Sequence, residues 1–214
     1  MTDGTDTLRD RLVRAALPHV PFDGWSRASL DAGARDAGLA SVDVHRAFPG
    51  GPIEAIEHYV TMADRAMLED LERHDLQALR VRERVALAVR VRLERVAGER
   101  EAIRRALGQL ALPAHAPLAL KTLYRTVDAI WWAAGDNSTD YNFYTKRALL
   151  AAVYSATLLY WLDDRSEGSA ASWAFLDRRL AEVMKIPQLV GRARAAAEAL
   201  AERLPNPLRF FRRA

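Results

Sequence analysis

No cysteine occurs among the 214 residues. That excludes disulfides, thiolate metal sites and a cysteine nucleophile, and it fits a reducing compartment such as the cytoplasm. Net charge is also scarce: +3 at pH 7 for a chain of this length does not impose a nucleic-acid footprint, although the sequence pI is about 9.4. The longest nearly uncharged run, ALLAAVYSATLLYWL at 148–162, is shorter than the roughly 20 apolar residues that a bilayer span requires. The first residues, MTDGTDTLRDRL, carry acids and no apolar stretch, so no secretory signal is expected. The five histidines, His19, His45, His58, His74 and His115, show no metal-ligand spacing. His58 and His74 are read as surface or satisfied core residues. No Gly-x-Ser-x-Gly elbow, phosphate-binding glycine loop or dinucleotide fingerprint appears, so the expectation is a protein that is not an enzyme, with no catalytic residue, metal or cofactor. Asn137-Ser138-Thr139 matches a glycosylation sequon, which without secretion is accidental.

Half of the residues are hydrophobic and 28% are charged, an ordinary globular balance with material for one sizeable core. Helical spacing runs through nearly the whole chain, and no segment alternates strictly enough for a strand. The expected fold is all-α, with about ten helices near 5–17, 26–38, 41–48, 52–77, 80–96, 99–110, 117–134, 138–163, 170–184 and 187–204. Ser26 is the expected N-cap of the second, and Gly135 the stop of the seventh. The Arg- and Glu-rich stretch 80–110 reads as solvated faces with pairs such as Glu101 and Arg105 four residues apart.

SRASLDAGARDAGLASVDVHRAF, at 26–48, places small residues at a tight turn between two short helices. It resembles the helix-turn-helix of TetR-type regulators, and the helical plan of the whole chain fits theirs. A DNA-binding regulator of that type is the alternative function. Its charge argues against DNA: Arg27, Arg35 and Arg46 are offset by Asp31, Asp36 and Asp43, and the second helix offers Val42, Asp43, Val44 and His45 to a groove. No nucleic acid is expected as a partner.

The densest aromatic chemistry lies in IWWAAGDNSTDYNFYTKRALL, at 130–150. Trp131 and Trp132 read as the end of a helix packed in the body of the protein. In the next helix Asp140, Phe143, Tyr144 and Arg147 fall at i, i+3, i+4 and i+7, a stripe continued by Ala151, Tyr154 and Leu158. The stripe has the composition of a protein-binding hot spot, with core tyrosines as the alternative reading. The opposite side, Thr145, Leu149, Ala152, Ala156 and Leu159, reads as facing the bundle. Because 148–162 is apolar nearly all round, it implies either a dimer interface or an interior cavity for an apolar ligand.

Asp128-x-Ile130-Trp131-Trp132, Ala134-Gly135-Asp136-Asn137-Ser138-Thr139-Asp140, Asn142-Phe143-Tyr144-Thr145-Lys146-Arg147, the downstream Tyr154, Thr157 and Asp164-x-Ser166, and Trp173-x-Phe175-Leu176-x-x-Arg179 together resemble the COQ9 family of ubiquinone-biosynthesis proteins. Gly24-Trp25-Ser26 and Phe48-Pro49-Gly50-Gly51 are similar to that family's N-terminal signature. The resemblance covers most of 20–180 in order. It implies a TetR-like homodimer that binds an isoprenoid quinone or other lipid and presents it to the demethoxyubiquinone hydroxylase, a COQ7-like di-iron enzyme. It also places partner binding on Asp140, Phe143, Tyr144 and Arg147. The family commonly has Trp where Phe143 stands, so the aromatic is kept and an indole donor is lost. Helical phase nominates Leu149, Val153, Ala156, Leu159 and Tyr160 for the lipid.

Three regions follow: a helix-turn-helix-like region at 1–51, a lipid- and partner-binding region at 52–204, and a basic aromatic tail at 205–214. In the tail Leu208, Phe210 and Phe211 can enter a headgroup boundary while Arg209, Arg212 and Arg213 approach anionic lipid. The expected location is cytoplasmic, peripheral to the inner membrane.

Overall fold

The structure is a computed structural model that describes residues 2–135 and 141–183. The described residues form ten α-helices and no strand: α1 (Thr2–Ala16), α2 (Val20–Asp23), α3 (Arg27–Asp36), α4 (Ser41–Ala47), α5 (Pro52–Leu71), α6 (Val81–Arg95), α7 (Arg100–Leu110), α8 (Ala116–Ala133), α9 (Tyr141–Asp163) and α10 (Ala170–Val183). The all-α expectation holds. The helix expected at 187–204 and the tail at 205–214 lie outside the described residues.

Two boundaries differ from the sequence reading for local reasons. No helix is expected between 17 and 26, yet α2 forms there with Pro21 in its first turn, where its missing N–H has no helical partner to lose. The helix expected to reach Gln77 stops at Leu71, because the Asp75 carboxylate accepts from the backbone N–H groups of Gln77 and Ala78 and starts a separate 3-10 turn over Leu76–Ala78.

α1, α3 and α4 pack as a unit against the start of α5. Ser26 caps α3 as expected: its hydroxyl accepts from Ser29 N–H while the Ser29 hydroxyl takes the Ser26 N–H. Leu12, Val13, Leu30, Val44 and Phe48 are fully buried between these helices, and the same core runs on without a break through Ile56, Met67, Leu93, Ile130 and Trp161. Gly33 is where α3 meets α1 most closely. A Cβ placed there would lie 2.5 Å from the backbone nitrogen of Ala16. His58 is buried at the α1–α5 junction, its Nε2 2.7 Å from Asp10 Oδ1, to which Arg65 also donates at 2.7 Å. That is a satisfied core histidine. His74 is exposed.

Trp25 joins this unit to the rest. Its indole N–H donates to the Ala102 carbonyl of α7 at 2.9 Å, and its ring lies 5.4 Å from that of Tyr59 on α5.

The charges on α6 and α7 are not uniformly solvated. Glu101 and Arg105 pair as expected, at 3.2 Å. Arg100 and Arg104, however, donate to the carbonyls of Asp164 and Leu162 at the C-terminal end of α9, and Arg100 also lies over the Trp161 ring, 4.3 Å from its centroid. Arg84 does the same for α8, donating to the Ala134 carbonyl at 3.3 Å. These arginines supply partners to carbonyls that a helix end leaves open. Asp164 then links α9 to α10: its carboxylate accepts from Ser166 N–H and from both the N–H and hydroxyl of Ser172. Partial burial opposes the charge, but these bonds hold the carboxyl well below the ordinary 3.8.

Gly33→Ala should force α1 and α3 apart and cost about 1–3 kcal/mol, seen as a fall of about 5 °C in thermal midpoint. Asp164→Ala should lower stability at neutral pH. Because the folded carboxyl titrates below its unfolded value, the difference from the wild type should shrink as the pH falls below 3.8, which denaturant titrations at pH 7 and pH 3 would measure.

Candidate functional site

Five helices, α5 to α9, enclose a cavity of about 370 Å³. Its walls owe their separation to small residues where long helices face one another: Ala63 of α5, Ala106 of α7, and Ala119 and Thr122 of α8. Leu107, Leu110, Leu123 and Leu158 supply most of the remaining apolar surface. Ala111 and Leu159 line the cavity and are themselves exposed, Leu159 at 60%, and so mark its mouth. Tyr59, Arg92, Thr126 and Tyr154 are buried polar members of the lining, and the part of the cavity they form is called its inner end.

The inner end is a polar cluster drawing one residue from each of four helices. Arg92 of α6, 6% exposed, donates through Nε to Asp64 Oδ1 of α5 at 2.7 Å and through Nη1 to the Tyr154 hydroxyl of α9 at 2.5 Å. Thr126 of α8 donates to both Asp64 oxygens at 3.0 and 3.1 Å. Asp64 is buried behind the lining rather than part of it. Burial disfavours the Arg92 charge, but the Tyr154 oxygen and the Asp64 carboxylate outweigh it and hold the guanidinium firmly protonated. Burial also pushes the Tyr154 phenol up, as it does Tyr59, which in addition donates to Glu99. Both therefore keep their protons at neutral pH.

Of the residues nominated for the lipid, only Leu159 lines the cavity. Val153 is buried in the core, Leu149 and Ala156 are half-buried, and Tyr160 stacks on Phe175 of α10 with ring centroids 4.7 Å apart. Tyr144 faces outward as the sequence reading has it, but from Arg147 onward the sides of α9 differ from that reading. Arg147, Leu150, Tyr154, Thr157, Leu158 and Trp161 face inward, whereas Thr145, Ala152 and Leu159 are exposed. The inward positions carry the larger side chains, and the polar ones among them have partners in the bundle.

Of the residues expected to bind a partner, Asp140 and the Phe143 side chain lie outside the described residues. Tyr144 is at the surface, 71% exposed. Arg147 is 6% exposed and is held by Asp128 of α8, with Nη2 2.6 Å and Nε 2.8 Å from Asp128 Oδ1. The stripe thus divides into an exposed aromatic and a buried arginine whose pair with half-exposed Asp128 fixes α9 on α8. Trp131 donates to the Lys146 carbonyl at 3.3 Å, but Trp132 is 69% exposed rather than packed in the body. Leu120 and Tyr124 of α8 are exposed as well, with half-exposed Asp128 between Tyr124 and Trp132. The side chains 208–213 nominated for membrane contact lie outside the described residues.

Sequence reasoning missed Asp64, Arg92 and Thr126. A signal was available for Arg92: it lies in phase with the buried stripe of Val85, Ala88, Val89 and Val96. On α4, Val42 and His45 are exposed, while Arg27 pairs with Asp31 and Arg46 with Asp43.

The family model described as COQ9 matches residues 116–187, which span α8, α9 and α10. The mitochondrial ubiquinone biosynthesis protein COQ9 of Drosophila melanogaster is 35% identical over 189 residues, covering 86% of this chain and 58% of that protein. COQ9-B of Xenopus laevis is 33% identical over 209 residues, covering 94% of this chain and 71% of that protein. Human COQ9 is also 33% identical over 209 residues, and the chain spans 65% of its length. Among solved structures, a TetR transcriptional regulator from Nitrosomonas europaea superposes with a TM-score of 0.68 at 21% identity, covering 83% of this chain and 98% of that one. That likeness shows a TetR-like fold.

Removing only one member of the buried Arg92–Asp64 pair leaves the other uncompensated. Asp64→Leu should therefore cost about 3–5 kcal/mol, and the double variant with Arg92→Met should recover most of the loss, as urea denaturation would measure.

Proposed function

Because the chain belongs to the COQ9 family, we propose that it is a non-enzymatic accessory protein of ubiquinone biosynthesis that carries a polyprenyl quinone intermediate. The observation that supports this most is the apolar cavity between α5 and α9, which has a wide apolar wall and a small polar inner end. A lipid enters such a site by partition. Each buried methylene gains roughly 0.8 kcal/mol, so a dry cavity competes with a bilayer without a bond being made or broken. At about 370 Å³ it falls at the small end of the roughly 300–1,000 Å³ usual for ligand sites, room for a ring and a short length of chain.

The cargo would be presented to the demethoxyubiquinone hydroxylase. Its docking surface in this reading takes in exposed Tyr144 of α9 and exposed Trp132 of α8, together with Asp140 and Phe143, which the family resemblance nominates. Arg147 then serves that surface from below, through its pair with Asp128. Exposed Leu120 and Tyr124 on α8 fit the homodimer that the family resemblance implies. No helix among the described residues is long and apolar enough to cross a membrane, so in this reading exchange with the bilayer takes place at the surface. The residues of 205–214 would serve that contact. The DNA-binding alternative draws little from α3 and α4, where Arg27 and Arg46 are paired with neighbouring acids and exposed Arg35 is the remaining arginine.

Lipid extraction and mass spectrometry of the purified chain should recover an isoprenoid quinone or related lipid; an extract without lipid would overturn the carrier reading. Ala119→Phe should fill the cavity and abolish that recovery with the helical circular dichroism retained. Phe143→Ala with Tyr144→Ala should instead retain the lipid and abolish co-purification of the hydroxylase.

A further inference from the structure

Resting on the carrier reading, we propose that the lipid enters ring first, with one oxygen of the ring accepting hydrogen bonds from Arg92 Nη2 and the Tyr154 hydroxyl, and with its chain leaving past Ala111 and Leu159. The observation that assigns this orientation is what the polar cluster leaves over. Nε and Nη1 of Arg92 have partners, but Nη2 has no hydrogen bond among the described residues. The Tyr154 oxygen accepts from Arg92, and its own O–H has no acceptor among the described residues. Both residues are buried and both line the cavity. Two buried donors without acceptors in the wall of an otherwise apolar cavity fit a ligand that brings an acceptor there.

The remaining polar groups narrow the class of ligand. Thr126 is committed to Asp64, the Thr122 hydroxyl donates within its own helix to Leu118 and Ala119, and the half-buried Ser155 hydroxyl is one further polar group of the lining. The Tyr59 hydroxyl donates to Glu99. Asp64, behind the lining, already balances the Arg92 charge, so the site does not require an anion. A neutral carbonyl or phenolic oxygen on an apolar body suits it, and a quinoid ring has both features. Size agrees with the direction: the cavity takes the ring and the first part of a chain, and the exposed mouth at Leu159 is the way out for the rest.

The test compares two ligands, a benzoquinone bearing a ten-carbon alkyl chain and an isoprenoid hydrocarbon of similar size with no ring oxygen. Binding to the full chain is followed by tryptophan fluorescence in the wild type and in Tyr154→Phe, which keeps the ring and removes one donor. The expected result is about tenfold weaker binding of the quinone by Tyr154→Phe, with binding of the hydrocarbon unchanged. The double variant Arg92→Met with Asp64→Leu, which removes the donor and its counter-charge together, should weaken the quinone at least as much and spare the hydrocarbon. If both variants bind the quinone as tightly as the wild type, the ring-first orientation is overturned and the carrier reading stands. Equal loss for both ligands would also overturn it, since that is what a general disturbance of the cavity produces. If the wild type binds neither ligand, both the carrier reading and the orientation fall.

Discussion

A guanidinium buried among apolar helices is held by few arrangements, and the one at Arg92 determines much of this bundle. Its charge has to be met within a few ångströms, which brings Asp64 of α5 against α6. The Asp64 carboxylate has oxygen capacity left over, which Thr126 of α8 takes. The second arm of Arg92 takes the Tyr154 hydroxyl of α9. Four helices meet at this cluster, and their spacing there is set by hydrogen-bond lengths rather than by how closely apolar side chains can collapse. Such a pair adds little net stability over a well-packed apolar substitute. It does oppose sliding of one helix past another, since a displaced helix would leave a buried charge unmatched.

The cavity follows from that constraint. Beyond the cluster the facing side chains are small, with Ala63, Ala106, Ala119 and Thr122 on three helices. Small residues would ordinarily let helices approach until the gap closed. Here the polar cluster holds the inner end, while Arg100 and Arg104 tie the far end of α9 to α7 through its terminal carbonyls. With both ends held apart, the apolar space between them persists.

How much of this the sequence disclosed varied with the kind of signal. Helical periodicity located α1 and α3 to α10 because each has caps, breakers or an amphipathic stripe, and Ser26, Gly135 and Pro52 act where their chemistry predicts. The faces of α9 were not legible because that helix is apolar on nearly every side, and periodicity carries no direction without contrast. Its orientation is settled instead by long-range partners of its polar residues, Arg147 with Asp128 and Tyr154 with Arg92. Arg92 was hidden for a different reason. In a helix with Arg80, Arg82, Arg84, Arg90 and Arg95 nearby, one more arginine reads as surface, and only its phase against Val85, Val89 and Val96 separates it. The stripe at the start of α9 was legible by composition, although burial separates Tyr144 from Arg147 in a way that spacing could not show.

The N-terminal helices pose the remaining structural question, since they keep a helix-turn-helix plan with little charge left for DNA. Trp25 shows what holds the plan in place. Its ring packs on Tyr59, a residue of the cavity wall, and its indole N–H bonds to Ala102 beside that wall. Gly33 permits α3 to lie against the backbone of α1, whose Leu12, Val13 and Ala16 complete the core below. Losing this unit would expose Trp25, Phe48 and the adjoining apolar face of α5, so the fold has a reason to keep it that does not involve base pairs. Its outer surface is under no such constraint. There Arg27 and Arg46 sit beside Asp31 and Asp43, and His19 lies 2.6 Å from Asp36. An inward face fixed by packing, and an outward face on which Arg27 and Arg46 are paired with local acids, is the pattern expected of an element retained to support the helices that form the cavity.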